Sequence, residues 1–212
     1  MTWHSFSFGA HYDPERVGFG PMVVHDEHLL GDGQGFETHH HERVEIVTWM
    51  LSGALLHTDR SGPAQILRPG SVGVLSAGSG VDHAEIAAAP QTRFVQVWLS
   101  AEDPDRAPRY VARSVAPGAG AFAPVAEPIA GARLSVARLD AGQGVVLPAA
   151  ARRHLYVATG ALTRSSLAEP LAAGDAFEIT AEPDSAATPE IEVTAGVPTE
   201  LLLWTFDAPP GP

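Results

Sequence analysis

Turn-forming residues recur about every ten positions through the first hundred residues of this chain, and the runs between them are too short for ordinary helices. Ser52-Gly53, Ser61-Gly62-Pro63, Arg68-Pro69-Gly70 and Ala77-Gly78-Ser79-Gly80 punctuate the short runs Ala54–Thr58, Ala64–Leu67 and Val72–Leu75. Thr92–Leu99 alternates polar and apolar residues as a half-buried strand does. Short strands are expected within residues 3–30, and one continuous strand over Thr38–Leu51. With 21 glycines and 18 prolines in 212 residues, the composition suits the same reading, an all-β sandwich or barrel.

The second half echoes the first. Ser52-Gly53-Ala54-Leu55 finds a counterpart in Thr159-Gly160-Ala161-Leu162, and Leu67–Val72 finds one in Leu171–Ala176. The paired glycines lie 17 residues apart in the first half and 14 in the second, which points to an internal duplication. Residues 100–125, rich in Pro, Gly and Asp, read as the linker, with domains expected at 1–115 and 116–212.

The formal net charge of −12 excludes the basic footprint that nucleic acid or an anionic membrane surface requires. No signal peptide and no apolar run long enough to span a membrane is visible, so a cytoplasmic protein is expected. The chain has no cysteine, which removes disulfides, thiol nucleophiles and Cys-ligated metal together. Any metal must be held by imidazole and carboxylate.

Nine of the ten histidines lie in the first 83 residues. Three are consecutive in Gly33-Gln-Gly-Phe-Glu-Thr-His39-His40-His41-Glu-Arg-Val-Glu45. Strand alternation places His39 and His41 on one face with Arg43 and Glu45, and turns His40 to the other. His83 and Glu85 share a face downstream. Two i, i+2 pairs that include a carboxylate make a donor set for a metal with open positions. Counting from the paired glycines, the second half carries Val146, Pro148 and Ala187 in place of His39, His41 and His83, and Thr188 beside Ala187 is no metal ligand either, so one metal site is expected. His57 is expected to pack near the pocket, Asp59 and Asp175 to serve turns, and Trp49, Phe94 and Trp98 to fill the barrel core. His4, His11, His25, His28 and His154 are expected to be structural or exposed.

Gly33-x5-His39-x-His41-x3-Glu45 resembles the first motif of the cupin superfamily, and Arg68-Pro-Gly70 through Gly78-Ser-Gly80-x2-His83-x-Glu85 resembles the second motif of its pirin branch. Trp3–Phe8, Tyr12-Asp13-Pro14, Gly35-Phe36, Glu45-Ile46-Val47 and His57-x-Asp59 extend the likeness, most closely to bacterial pirin-like quercetinases. Two departures adjoin the histidines: His40 stands where pirins commonly have proline, and Glu42 where a basic residue is usual.

The resemblance implies a bicupin of two β-barrels with one divalent transition metal in the N-terminal barrel. Iron is the expected ion, with nickel, cobalt, manganese, copper or zinc as alternatives. It implies His39, His41, His83 and Glu85 as ligands and Glu85 as catalytic base, whereas cupins at large would use Glu45 as the carboxylate. The implied activity is oxidative cleavage of a flavonol such as quercetin with O2 and release of carbon monoxide. The alternative the family offers is a redox-sensitive regulator that binds a protein partner.

Overall fold

In the computed structural model, residues 1–7, 13–60, 62–163, 170–181 and 190–207 are described; His11, Ala187 and Thr188 lie outside them. Every regular element among the described residues is a β-strand. The chain forms two compact units, Met1–Val115 and Ala116–Pro212.

The first unit begins with β1 (Thr2–His4), β2 (Met22–Leu30), β3 (Gly35–His41) and β4 (Val44–Ser52). It continues with β5 (Leu55–Asp59), β6 (Gln65–Leu67), β7 (Ser71–Ser76), β8 (Val81–Ala87), β9 (Thr92–Ser100) and β10 (Arg109–Ser114). Two sheets result, ordered β1-β2-β9-β4-β7-β10 and β3-β8-β5-β6. Each apolar run buries one face. Met50, Leu55, Leu67 and Phe94 form one cluster, and Ile46, Leu75, Ala77 and Val81 another. Burying each such side chain contributes about 1.5–3 kcal/mol.

The strand expected over Thr38–Leu51 breaks after His41, because Arg43 adopts φ +60° and turns the chain from one sheet to the other. His39 and Glu45 therefore belong to different sheets. Residues 100–125 are not a bare linker either, since β10 forms the edge of the first unit's larger sheet on β7.

The second unit contains β11 (Gly118–Ala119), β12 (Ala123–Ile129), β13 (Ala132–Leu139) and β14 (Gly144–Val146). After these come β15 (Arg152–Thr159), β16 (Ala176–Thr180), β17 (Glu192–Thr194) and β18 (Thr199–Phe206). Its main sheet runs β11-β13-β18-β15-β16 with β12 on β13, and β14 pairs β17.

The repeat seen in sequence is matched hydrogen bond for hydrogen bond. Thr92 Oγ1 donates to Ala54 O at 3.0 Å and accepts from Ala54 N at 3.2 Å; Thr199 Oγ1 does the same with Ala161 at 3.1 and 3.2 Å. In both places the preceding glycine, Gly53 or Gly160, has φ above +70° and lies against the threonine backbone. A side chain there would collide with it.

Register also aligns the two interiors. Thr48 pairs with Gln96 in the first unit and Leu155 with Leu203 in the second. Phe36 pairs with Glu85, and Val145 with Val193. His39 pairs with His83, while Leu147 N donates to Ile191 O. The counterparts of His39, His83 and Glu85 are thus Leu147, Ile191 and Val193. Counting from the turns missed them because the glycine intervals differ and β3 carries a bulge between Phe36 and His39. All three are buried in one aliphatic cluster. The second interior is packed where the first is polar.

Candidate metal centre

Three strands of the smaller sheet carry the cluster. β8 alternates buried and more exposed residues, so His83 and Glu85 both point inward while Asp82 points out. His39 on β3 lies directly opposite His83, and His57 on β5 lies opposite Glu85. The rings of His39 and His83 are 4.4 Å apart, those of His39 and His41 4.7 Å, and those of His41 and His83 5.1 Å. One ligand atom from each of His39, His41 and His83 lies within 4.8 Å of the others, and the same holds for His57, His83 and Glu85. Histidine 83 belongs to both groups.

Depth separates these residues. His83 and Glu85 are 1% and 2% exposed, whereas His39 and His41 are half-buried and form the open side. Trp98 borders that side, edge-on to His41 at 4.6 Å. It is half-buried and lines the site, in contrast to Trp49 and Phe94, which are core as expected. His40 faces away and pairs with Asp82 at 2.9 Å.

The hydrogen bonds set which atoms are available. His39 Nδ1–H donates to Glu37 O at 2.7 Å, which leaves Nε2 as the lone-pair nitrogen. His83 Nε2 is fully buried with no hydrogen-bond partner among the described residues. Such an atom is costly unless something else coordinates it, and a cation fits this donor set. Burial holds His83 at about 3 and His41 at about 4, so both imidazoles are neutral and able to ligate at pH 7.

Glu85 is held by the opposing sheet. Gln96 Nε2 donates to Glu85 Oε2 at 2.8 Å and lies 3.3 Å from Thr48 Oγ1. Trp98 Nε1 donates to Gln96 Oε1 at 3.0 Å, which sets the orientation of the amide. Burial nevertheless pushes the Glu85 carboxyl up to about 7 in the metal-free protein, against the lowering effect of the Gln96 hydrogen bond. Glu45 joins neither group. It is buried on β4 and accepts a 2.6 Å hydrogen bond from Ser76 Oγ.

Sequence reasoning passed over Gln96, Tyr110 and the role of Asp59. Asp59 is buried beside His57 Nε2 at 2.8 Å, and Tyr110 stacks on the His57 ring at 3.5 Å and 10°. A polar residue on the inward parity of an apolar strand, as Gln96 is between Phe94 and Trp98, was the available signal for one of them.

The pirin family model matches residues 1–99. A Mycobacterium tuberculosis protein provisionally named a quercetin 2,3-dioxygenase is 36% identical over 220 residues, covering 97% of this chain and 87% of its own. The chain belongs to the pirin family. The quercetin 2,3-dioxygenase of Escherichia coli K12 is 35% identical over 114 residues, 53% of this chain and 49% of that protein. Among solved structures, the E. coli pirin YhhW in complex with nickel(II) superposes with a TM-score of 0.82 at 28% identity, covering 98% of this chain and 92% of that one. This pirin is therefore a bicupin, and a relative with the same fold has been crystallised with a divalent metal.

Proposed function

We propose that this pirin is a metal-dependent dioxygenase that opens a flavonol-like polyphenol with O2, its ion held by His39, His41, His83 and Glu85. The N-terminal domain, residues 1–115, would carry the site, and residues 116–212 would carry none. The observation that supports this most directly is that buried His83, its Nε2 unpaired among the described residues, groups with His39 and His41 in one set and with Glu85 in another. Iron is our expectation for the native ion, and the same donors accept nickel, cobalt, manganese, copper or zinc.

A bound divalent ion would supply Lewis acidity toward a substrate hydroxyl oxygen and a template for O2. The protein's residues do the rest. His39 and His41 border the open side, so a planar substrate enters past them and along Trp98. Glu85 is the base that receives the hydroxyl proton on a carboxylate oxygen. Burial raises this carboxyl in the metal-free protein, and a bound ion would act in the opposite direction. Gln96 keeps that carboxylate aimed while it exchanges the proton.

Aerobic incubation of metal-loaded protein with quercetin, followed by oxygen uptake and loss of the flavonol absorbance, tests the reading. Turnover that disappears in His39→Ala is expected. Absence of turnover with every one of the six metals, or equal turnover by His39→Ala, sinks it.

A further inference from the structure

Metal-ligating histidines commonly have their second ring nitrogen fixed by an outer partner, and here that partner can be traced. His57 Nε2 lies 2.8 Å from Asp59 Oδ2, and His57 Nδ1 lies 3.4 Å from His83 Nδ1. A carboxylate oxygen accepts, so His57 carries its proton on Nε2 and presents a lone pair at Nδ1. Only the Nδ1–H tautomer of His83 can answer that lone pair. The proton is then on the Nδ1 side of the His83 ring, and Nε2 is left bare with no hydrogen-bond partner among the described residues. Glu85 Oε1 does not compete for His57, being 4.0 Å from Nδ1.

We infer that Asp59 and His57 are positioning residues that dictate the tautomer of His83 and so create its metal-binding nitrogen. Tyr110 completes the device from β10. Its ring stacks on His57 and holds the imidazole plane along the line from Asp59 to His83. The register supports the same chain, because Asp59 is the direct cross-strand neighbour of His83. Neither Asp59 nor His57 need touch the ion or the substrate. The inference rests on His83 being a ligand, as proposed above.

The test compares wild type with His57→Phe, Asp59→Ala and the double variant. His57→Phe keeps a ring against Tyr110 but removes the acceptor. Nitrogen-15 NMR of the metal-free protein at neutral pH should show the His83 proton on Nδ1 in wild type and a shift toward Nε2 or a mixture in each variant. Calorimetric titration with nickel(II) should show affinity falling about 10–100-fold in each single variant. The double variant should lose no more than either single one, because all three break one chain. A wild-type His83 protonated on Nε2, unchanged nickel affinity in His57→Phe, or additive losses in the double variant would overturn the inference. Should His57→Phe not fold, the wild-type spectrum and Asp59→Ala still decide. Wild type that binds no nickel at all refutes the metal reading, while the NMR tautomer reports on the Asp59–His57 chain separately.

Discussion

Gln96→Leu isolates what the polar interior of the first barrel does. The second barrel already carries leucine at this place, Leu203, against Leu155 where the first has Thr48. The fold therefore accepts the side chain, and overpacking is not expected. What disappears is the 2.8 Å hydrogen bond to Glu85 Oε2, together with the acceptor for Trp98 Nε1. A hydrogen bond to a charged group contributes about 1.5–3 kcal/mol. If that energy supports the carboxylate as ligand, it converts to metal affinity weakened about 10- to 150-fold, since each 1.4 kcal/mol is tenfold. Glu85 also loses the one interaction that lowers its pKa, so the variant should need higher pH to bind metal equally well. Titration against a competing chelator at pH 7.5 and 8.5 measures both effects. Thr48→Val, which removes only the 3.3 Å partner of Gln96, should cost far less. Affinity within twofold of wild type for Gln96→Leu, or equal losses in the two variants, would show that Gln96 does not position Glu85.

Three shorter predictions follow from burial and backbone geometry. Gly33→Ala and Gly53→Ala both place alanine at φ +73°, but a Cβ at Gly33 meets nothing within 4 Å whereas one at Gly53 lies 2.6 Å from Thr92 Cα. The first should cost about 1–2 kcal/mol. The second should cost about 1–3 kcal/mol more from overpacking; equal urea midpoints would refute the close approach. Burial depresses His28, His83 and His154 to about 4, 3 and 4 from an ordinary 6.5, so their contribution is present above pH 6.5 and lost as pH falls toward 4. Glu85, raised from 4.5 to about 7, acts oppositely, losing stability as pH rises across that window. Net stability of the metal-free protein should therefore fall between pH 6.5 and 4, and His154→Leu should flatten the fall; an unchanged slope in urea titrations contradicts it. Arg153 is 1% exposed, and its three guanidinium nitrogens have no hydrogen-bond partner among the described residues. An unpaired buried charge is costly, so Arg153→Leu should raise the denaturation midpoint, and a lowered midpoint would show that the guanidinium has a partner.

Much of this was legible in the chain because local rules are strong where turns and alternation repeat. Short runs between glycines dictate strands, and the two-residue period of a strand separates His39 and His41 from His40 without any tertiary information. The absence of cysteine confines metal chemistry to imidazole and carboxylate. The echo of Gly53 in Gly160 marks a duplication, which survives as the same threonine hydrogen bonds.

What the tertiary structure decided depends on which strands become neighbours. Arg43 in a left-handed conformation sends Glu45 to another sheet, so strand parity alone misplaced it beside His39. The β3 bulge shifted the correspondence between barrels by a residue, and only cross-strand register revealed Leu147, Ile191 and Val193 as the aliphatic counterparts of His39, His83 and Glu85. Asp59, His57, Gln96 and Tyr110 come from three different strands and meet around His83 and Glu85 through contacts that no spacing encodes. A one-dimensional period fixes the side to which a residue points. Closing two sheets around one interior determines what it meets there.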